Sequence, residues 1–385
     1  MHNRLSISRP PGAGDDSWQD LWNRLTSNVG LGFLNWPSNV DDDDLIWLHA
    51  TTAFRQNGQL WTEFNASFFH EDSGKHPSNF VAEVAGIIGL GDDDEETREL
   101  ITERAKLFLR KTVVGRKLNV KVDKGGVVPL PASGSSGISA KEAPVPFEEL
   151  PKPNELVKLS AILPPKFKTG PVTTDMKIVE PEGWAVISDI DDTIKVTDTL
   201  SMKDLLVHTF AEEPRSTPGF PDFYRHLDQV LDQPAWFYLS ASPYNLYPFL
   251  LTFLRTHYPY GQPILRDMSW MSVAGLLASV STGTQEYKTA EIKRLIGQWL
   301  PNRKYICVGD STQTDPESYA EMYKAFPGAI KAIWIRLVTG VNETEEAQKN
   351  SAERFKKAFD GVSREIWKTF HDVSELAGLA EGLKL

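Results

Sequence analysis

The segment Gly183-Trp184-Ala185-Val186-Ile187-Ser188-Asp189-Ile190-Asp191-Asp192-Thr193-Ile194 constrains the fold of this chain more than any other. A short apolar run leads directly into carboxylates, the pattern of a strand with an acidic tip. Asp189 and Asp191 then stand two residues apart at a solvent-facing strand end, free to converge on one site. In an open α/β sheet, ligands bind in the crevice beyond the carboxyl ends of the strands. The plainer alternative is an acidic turn that caps a helix.

The texture downstream favours the sheet. From Gly183 onward, strand-like runs (Trp184–Ser188, Trp236–Ser240, Tyr305–Val308, Ala332–Val338) alternate with helical patterns. Such alternation predicts a parallel sheet with helices on both faces. Asn342 to Asp360 reads as a charged helix, and Lys368-Thr369-Phe370 before Ser374 as a last short strand and helix. A chain of 385 residues with 41% hydrophobic and 10% aromatic content has room for two domains with sizeable cores.

The first region is β-rich. Residues 1–40 read as a loosely structured tail with one short helix near Trp18 to Leu25. Two β-rich runs, Leu45–Phe54 and Leu60–Phe69, flank Asn57-Gly58, a strong hairpin signal. Acids from Asp92 to Glu96 open a helical stretch that ends near Leu109, as the helix dipole favours. Leu118 to Val122 alternates like a strand, 132–153 is rich in Ser, Gly and Pro and reads as a linker, and Leu156 to Leu163 is a further strand. The expected organisation is a small β-sandwich with an inserted helix over 41–165 and an α/β domain over 166–385. His49, His70 and His76 are scattered and suit structural roles.

A net charge of −11 argues against nucleic acid as a partner. Between Arg104 and Lys124, however, eight basic residues face one acid. That stretch is either a solvated helix face and hairpin edge or a contact with anionic lipid. Cys307 is the sole cysteine, so no intrachain disulfide forms, which fits a reducing compartment. Its strand-like setting makes it a small core residue. The first residues lack the apolar core of a signal peptide, and no apolar run reaches the ~20 residues of a membrane-spanning helix. A protein that is soluble, or that sits on a membrane from the cytoplasmic side, is expected.

Further strand ends complete a site. Trp236–Ser240 ends in a hydroxyl that could bond a phosphoryl oxygen. Lys288 begins a helical pattern and could neutralise both Asp189 and a phosphate. Tyr305–Asp310 ends in a carboxylate, with Asp315 five residues on, and Gly309 permits close backbone approach. Two acids, the Thr193 hydroxyl and a tight turn suit Mg²⁺, which takes oxygen ligands from carboxylates and substrate phosphate.

Ser188-Asp189-Ile190-Asp191-Asp192-Thr193-Ile194-Lys195, Pro218-Gly219-Phe220, Tyr238-Leu239-Ser240-Ala241-Ser242-Pro243-Tyr244 and Gly309-Asp310-Ser311 with Asp315-Pro316-Glu317 resemble the motifs of haloacid dehalogenase-type phosphatases. The finer likeness is to the fungal actin-patch-associated phosphatidate phosphatases, which share the DxDxT logic of the lipins. It covers Gly183 to Val341 strongly and the β-rich region weakly.

The resemblance implies a Rossmann-like three-layer parallel sheet without a large cap, and hydrolysis of membrane phosphatidate through an aspartyl-phosphate. Asp189 would be the nucleophile and Asp191 the general acid and base, its backbone carbonyl also a Mg²⁺ ligand. Thr193 and Ser240 would orient the reacting groups and Lys288 would offset charge. Asp189, Asp310 and Asp315 would complete the metal site. Asp192 stands where lipins have Gly and gains no role beyond turn capping. Partners would include cortical actin-patch or endocytic proteins, with the protein peripheral to a membrane in the cytoplasm. Two other readings stand beside this one: a phosphatase of proteins or other phosphoesters, and a cortical-actin adaptor with secondary catalysis.

Spacing bears on substrate size. Asp189 to Ser240 spans 51 positions and Ser240 to Lys288 spans 48, leaving little for a cap. Met202, Leu206 and Phe210, and Trp270, Met271, Val273, Leu276 and Leu277, would flank the mouth, either packed on the sheet or inserted in a membrane.

Overall fold

The computed structural model describes residues 37–70, 77–91, 93–267, 273, 275–276 and 283–383. The expected helix near Trp18, together with His76, Trp270, Met271 and Leu277, lies outside them.

The first unit contains β1 (Ser38–Asn39), β2 (Asp44–Leu48), β3 (Thr51–Gln56), β4 (Gln59–His70), helices α1 (Ser78–Ile88) and α2 (Glu95–Leu109), β5 (Lys111–Thr112), β6 (Arg116–Lys117), β7 (Asn119–Val122), β8 (Val127–Pro129), β9 (Ile138–Pro144), β10 (Leu156–Ile162) and β11 (Thr173–Ile178). Except for the β1–β6 pair, these strands form one continuous nine-stranded sheet around its own apolar core. Its spine is β4, whose Leu60, Phe64, Ala66 and Phe68 all point inward, as a period of two requires. The β3–β4 hairpin turns at Asn57 and Gly58, both with positive φ, as the Asn-Gly signal predicts.

Three expectations change. The linker at 132–153 contains β9, which pairs along β4 from Trp61 to Ser67. Its buried residues, Ser139 and Ala143, are small, so no apolar run announces it. The boundary at 165/166 cuts the first sheet too early, because β11 pairs with β10 and β3. The inserted helix is a pair of helices, and it packs on the second unit. Phe80, Val84, Ile101 and Phe108 share a core with Leu205, Leu206 and Phe210, and the Phe108 and Phe210 rings lie 5.1 Å apart.

The second unit runs β12 (Trp184–Ser188), α3 (Met202–Leu206) continued by a π-helical turn over Val207–Ala211, α4 (Phe220–Val230), β13 (Ala235–Pro243), α5 (Tyr247–His257), β14 (Gln262–Arg266), α6 (Thr284–Arg294), β15 (Lys304–Asp310), α7 (Asp315–Ala325), β16 (Ile330–Arg336), α8 (Glu343–Lys349), α9 (Ala352–Ala358), β17 (Trp367–Phe370) and α10 (Ala377–Glu381). Its six strands are all parallel, in the order β14-β13-β12-β15-β16-β17. Alternate strand residues serve opposite faces. Val186, Trp236, Tyr238, Ile306 and Val308 pack on one side, and Ala185, Ile187, Phe237, Leu239 and Cys307 on the other. The sheet is thus buried on both faces, as parallel sheets are. The chain reverses its direction of strand addition at β12, which sits between β13 and β15. A crevice opens at such a switch point.

The charged run Asn342–Asp360 forms two helices rather than one, α8 and α9. Among the described residues, no helix is long and apolar enough to cross a membrane.

Candidate active site

The strand order brings three strand ends together. Asp189 follows β12 directly, its backbone N–H donating to Val308 O at 2.8 Å. On one side β13 presents Ser240 and Ser242, and on the other β15 presents Asp310. The Asp189 carboxylate accepts from Lys288 Nζ at 2.7 Å and from Thr193 Oγ1 at 3.2 Å. Thr193 also reaches Asp310 at 3.1 Å. Lys288 donates to Asp315 as well, and Asp315 accepts from the Asp310 N–H at 3.1 Å. Gly309 is required here, since a Cβ would meet the Asp315 Cβ at 2.6 Å.

Carboxylate oxygens of Asp189, Asp310 and Asp315 lie within 4.8 Å of one another. All three residues are buried, and so is Lys288. Three carboxylates around one ammonium leave excess negative charge out of water, which is costly unless compensated. An all-oxygen donor set with that excess fits a hard divalent cation. Burial, opposed by Lys288 and reinforced by Asp315, Asp310 and Asp191, pushes Asp189 well above the usual carboxylate range. Asp315 rises to about 6, chiefly through burial. For Lys288 burial acts downward, but Asp189, Asp315 and Asp310 outweigh it and hold its pKa above the usual lysine value.

Asp191 is placed differently. Its carboxylate lies apart from the cluster and accepts from Ser240 and Ser242, each at 2.8 Å, and from Thr197 at 2.9 Å. Lys195 lies 3.7 Å away. Burial pushes Asp191 upward, yet Lys195 and the three hydroxyls together hold it below the usual range. Ser240 therefore serves Asp191.

The expectation of a solvent-facing strand end is overturned. Asp189 is 1% exposed and Asp191 6%. Leu205, Thr209, Leu246 and Phe249 line a narrow crevice beside Asp191, and helices α1 and α2 of the first unit back the α3 segment.

The sequence motifs include Lys195 and Ser242 but give neither a role, and they leave out Thr197. Ser242 had a signal, since it shares a strand face with Ser240 at a spacing of two. Lys195 and Thr197 depend on a loop folding back, which spacing does not show.

The basic stretch is largely matched within the chain. Arg104 is buried, donates to Thr209 O at 3.2 Å and pairs with Glu213 at 3.1 Å. Arg116 pairs with Asp44 at 2.7 Å, Lys124 with Glu155 at 3.5 Å, and Lys106 with Glu103. Of the apolar candidates at the mouth, Leu206, Phe210, Val273 and Leu276 are buried in the core, while Met202 is exposed. His49 is structural as expected. It bonds Ser67 at 2.8 Å and stacks on Tyr247 at 4.1 Å, and burial lowers its pKa to about 3. Cys307 is buried in β15, where burial raises its thiol pKa.

Fold and site together define an α/β protein with a buried aspartate–lysine centre at the switch point of a parallel sheet. Residues 184–337 match the family model described as "Phosphatidate phosphatase APP1, catalytic domain". The chain is 32% identical over 161 residues to the phosphatidate phosphatase APP1 of Saccharomyces cerevisiae, covering 41% of this chain and 26% of that protein. It is 26% identical over 185 residues to the uncharacterized protein C29B5.04c of Schizosaccharomyces pombe, covering 46% of this chain and 30% of that one. The match thus spans under a third of either relative's length, and within it the likeness to fungal phosphatidate phosphatases that the motifs suggest is borne out. A solved β-glucuronidase of Bifidobacterium dentium aligns at a TM-score of 0.20 and 8% identity over 88% of this chain and 61% of that one.

Proposed function

We propose that the second unit is a haloacid dehalogenase-type phosphatase and that the chain hydrolyses phosphatidate to diacylglycerol and inorganic phosphate. The observation that carries this reading is the Asp189 carboxylate at the central strand tip, bonded to a buried Lys288 and flanked by Asp310 and Asp315. A carboxylate so held is oriented to attack phosphorus, with an ammonium beside it to offset charge on the phosphoryl oxygens.

In the first step an Asp189 oxygen bonds to phosphorus as the bond from phosphorus to the glyceryl oxygen breaks. Asp191 delivers the proton that the departing alkoxide needs. A phosphate dianion next to Asp191 raises its proton affinity by like-charge repulsion, bringing it into the acid form. In the second step Asp191 takes a proton from water, whose oxygen attacks phosphorus and releases Asp189 and phosphate. Ser240, Ser242 and Thr197 hold Asp191 in place, and Thr193 orients Asp189. Asp189, Asp310 and Asp315, with the Asp191 backbone carbonyl, would hold Mg²⁺, which supplies further neutralisation of phosphoryl charge when bound. The apolar wall of Leu205, Leu246 and Phe249 suits a substrate with a hydrocarbon flank. With this reading go a peripheral membrane location on the cytoplasmic side and cortical-actin or endocytic partners.

The test is phosphate release from phosphatidate in mixed micelles. The parent protein should release phosphate with Mg²⁺ and not in excess chelator, and Asp189→Asn should lose activity by more than the roughly 10²–10⁴-fold of acid–base catalysis alone. Parental turnover by Asp189→Asn, or full activity in chelator, refutes the reading.

A further inference from the structure

We propose that Asp192 is a positioning residue that sets the geometry of both Asp191 and Asp310, an inference that rests on the phosphatase reading above. Asp192 has φ 59°, in the left-handed region where glycine is the default. Glycine would satisfy the backbone there, so the carboxylate needs its own explanation.

That carboxylate is 1% exposed and is filled with donors from one loop. Its Oδ1 accepts from the N–H of Asp198 at 2.6 Å and of Thr197 at 3.3 Å. Its Oδ2 accepts from the Thr199 N–H at 2.8 Å and from the Thr199 hydroxyl. Neutral N–H and O–H donors converging on a buried carboxylate make strong, charge-assisted bonds. They fold the segment 197–199 back over the strand tip.

Two consequences follow from that fold. Thr197 is delivered to Asp191, its hydroxyl donating at 2.9 Å, while Lys195 Nζ donates to Thr197 Oγ1 at 2.9 Å. Thr199 is delivered to Thr312, 3.0 Å away, and the Thr312 N–H donates to Asp310 at 2.6 Å. One side chain thereby ties the loop after β12 to the loop after β15. Arg336 fixes the same turn from β16, donating to Asp192 O at 2.6 Å.

The experiment compares the parent with Asp192→Gly, Asp192→Asn, Thr197→Val and the Asp192→Gly/Thr197→Val double variant. Asp192→Gly keeps the left-handed turn and removes the acceptors. Outer-shell partners of this kind are typically worth about 10–100-fold, so Asp192→Gly should lower kcat by that order with KM unchanged. Asp192→Asn keeps one acceptor oxygen and should fall between the two. Thr197→Val should lose less, since it removes only the route to Asp191, and the double variant should be no slower than Asp192→Gly, because Asp192→Gly already releases the Thr197–Asp191 contact.

Hydrogen exchange provides a readout apart from activity. The amides of 197–199 should be protected in the parent and exchange faster in Asp192→Gly, or in Asp192→Asn should the glycine variant fail to fold. Parental kcat in Asp192→Gly, multiplying losses in the double variant, or parental exchange at 197–199 would each overturn the proposal. If the parent releases no phosphate from phosphatidate or p-nitrophenyl phosphate, the phosphatase reading fails, and the exchange data alone decide the role of Asp192.

Discussion

Lys288→Met is the most direct probe of the charge arrangement. Methionine keeps most of the lysine stem's volume and deletes the ammonium. Lys288 has no exposure, and its Nζ lies 2.7 Å from Asp189 while also contacting Asp315. Removing one partner of a fully buried ion pair costs about 3–5 kcal/mol, because the other charge stays buried and unmatched. For a unit of roughly 150–250 residues, each kcal/mol moves the midpoint by about 2–4 °C, so the drop should fall between about 6 and 20 °C. Thermal unfolding followed by circular dichroism in chelator measures it without interference from added cations. The sharper check is the Lys288→Met/Asp315→Asn double variant. Removing a carboxylate relieves the excess negative charge that the first substitution leaves, so the second change should restore stability. Activity should nonetheless fall about 10²–10³-fold in Lys288→Met, the size of losing one electrostatic stabiliser of the transition state. An unchanged midpoint, or a double variant less stable than Lys288→Met, would refute the reasoning.

Three further outcomes follow. Phe108→Ala deletes a ring buried between the units and should cost about 3–5 kcal/mol in denaturant unfolding; two separate transitions with the second unit unaffected would contradict the shared core. Gly309→Ala places a methyl against Asp315 and should cost about 1–3 kcal/mol with loss of activity, so a parental midpoint would count against that close approach. His208 bonds Asp198 at 2.9 Å and faces Glu212 and Arg215, and the Asp198 bond outweighs partial burial to raise its pKa. A raised histidine stabilises the fold fully below its unfolded value near 6.5 and loses that contribution as pH rises through the folded value. The gap in midpoint between parent and His208→Gln should therefore be widest in mild acid and close with rising pH; a gap that widens toward alkaline pH would exclude the pairing.

What the sequence made legible follows from where each residue sits. Asp189, Ser240 and Asp310 lie at the ends of apolar runs, and Lys288 lies near the start of a helix, so element boundaries alone point them at one crevice. Asp315 was readable because it follows Gly309-Asp310 closely and opens α7. The first unit was harder to read. Helix α1 carries a clear apolar stripe at Phe80, Val81, Val84 and Ile88, yet no local pattern says that this stripe docks on the other unit. Strand β9 hides because its buried residues are small, and β11 because Thr173–Ile178 mixes polar and apolar residues while one of its two partners, β3, lies far away in the chain. Arg104 misled for a related reason: a basic residue in a basic run reads as surface, and only the tertiary fold gives it buried carbonyl acceptors.

The three aspartates of the Asp189-Ile190-Asp191-Asp192 turn show why composition underdetermines a site. They lie within four residues and are all buried, yet each meets a different set of donors. Asp189 meets an ammonium and the other cluster carboxylates, and burial, reinforced by those carboxylates, raises its pKa against the pull of Lys288. Asp191 meets three hydroxyls and Lys195, which favour the ionised form despite burial. Asp192 meets backbone amides and the Thr199 hydroxyl, with Asp310 nearby, and its pKa rises to about 6, with burial the largest cause. Identical side chains with divergent surroundings can divide work among themselves, as paired carboxylates do wherever acid and base roles must coexist. The division here is set by direction. Asp189 points into the cluster with Asp310 and Asp315, Asp191 toward β13, and Asp192, through its left-handed turn, back over its own loop. The left-handed turn at Asp192 goes with a carboxylate that takes its donors from 197–199, while Asp189 is left to the cluster.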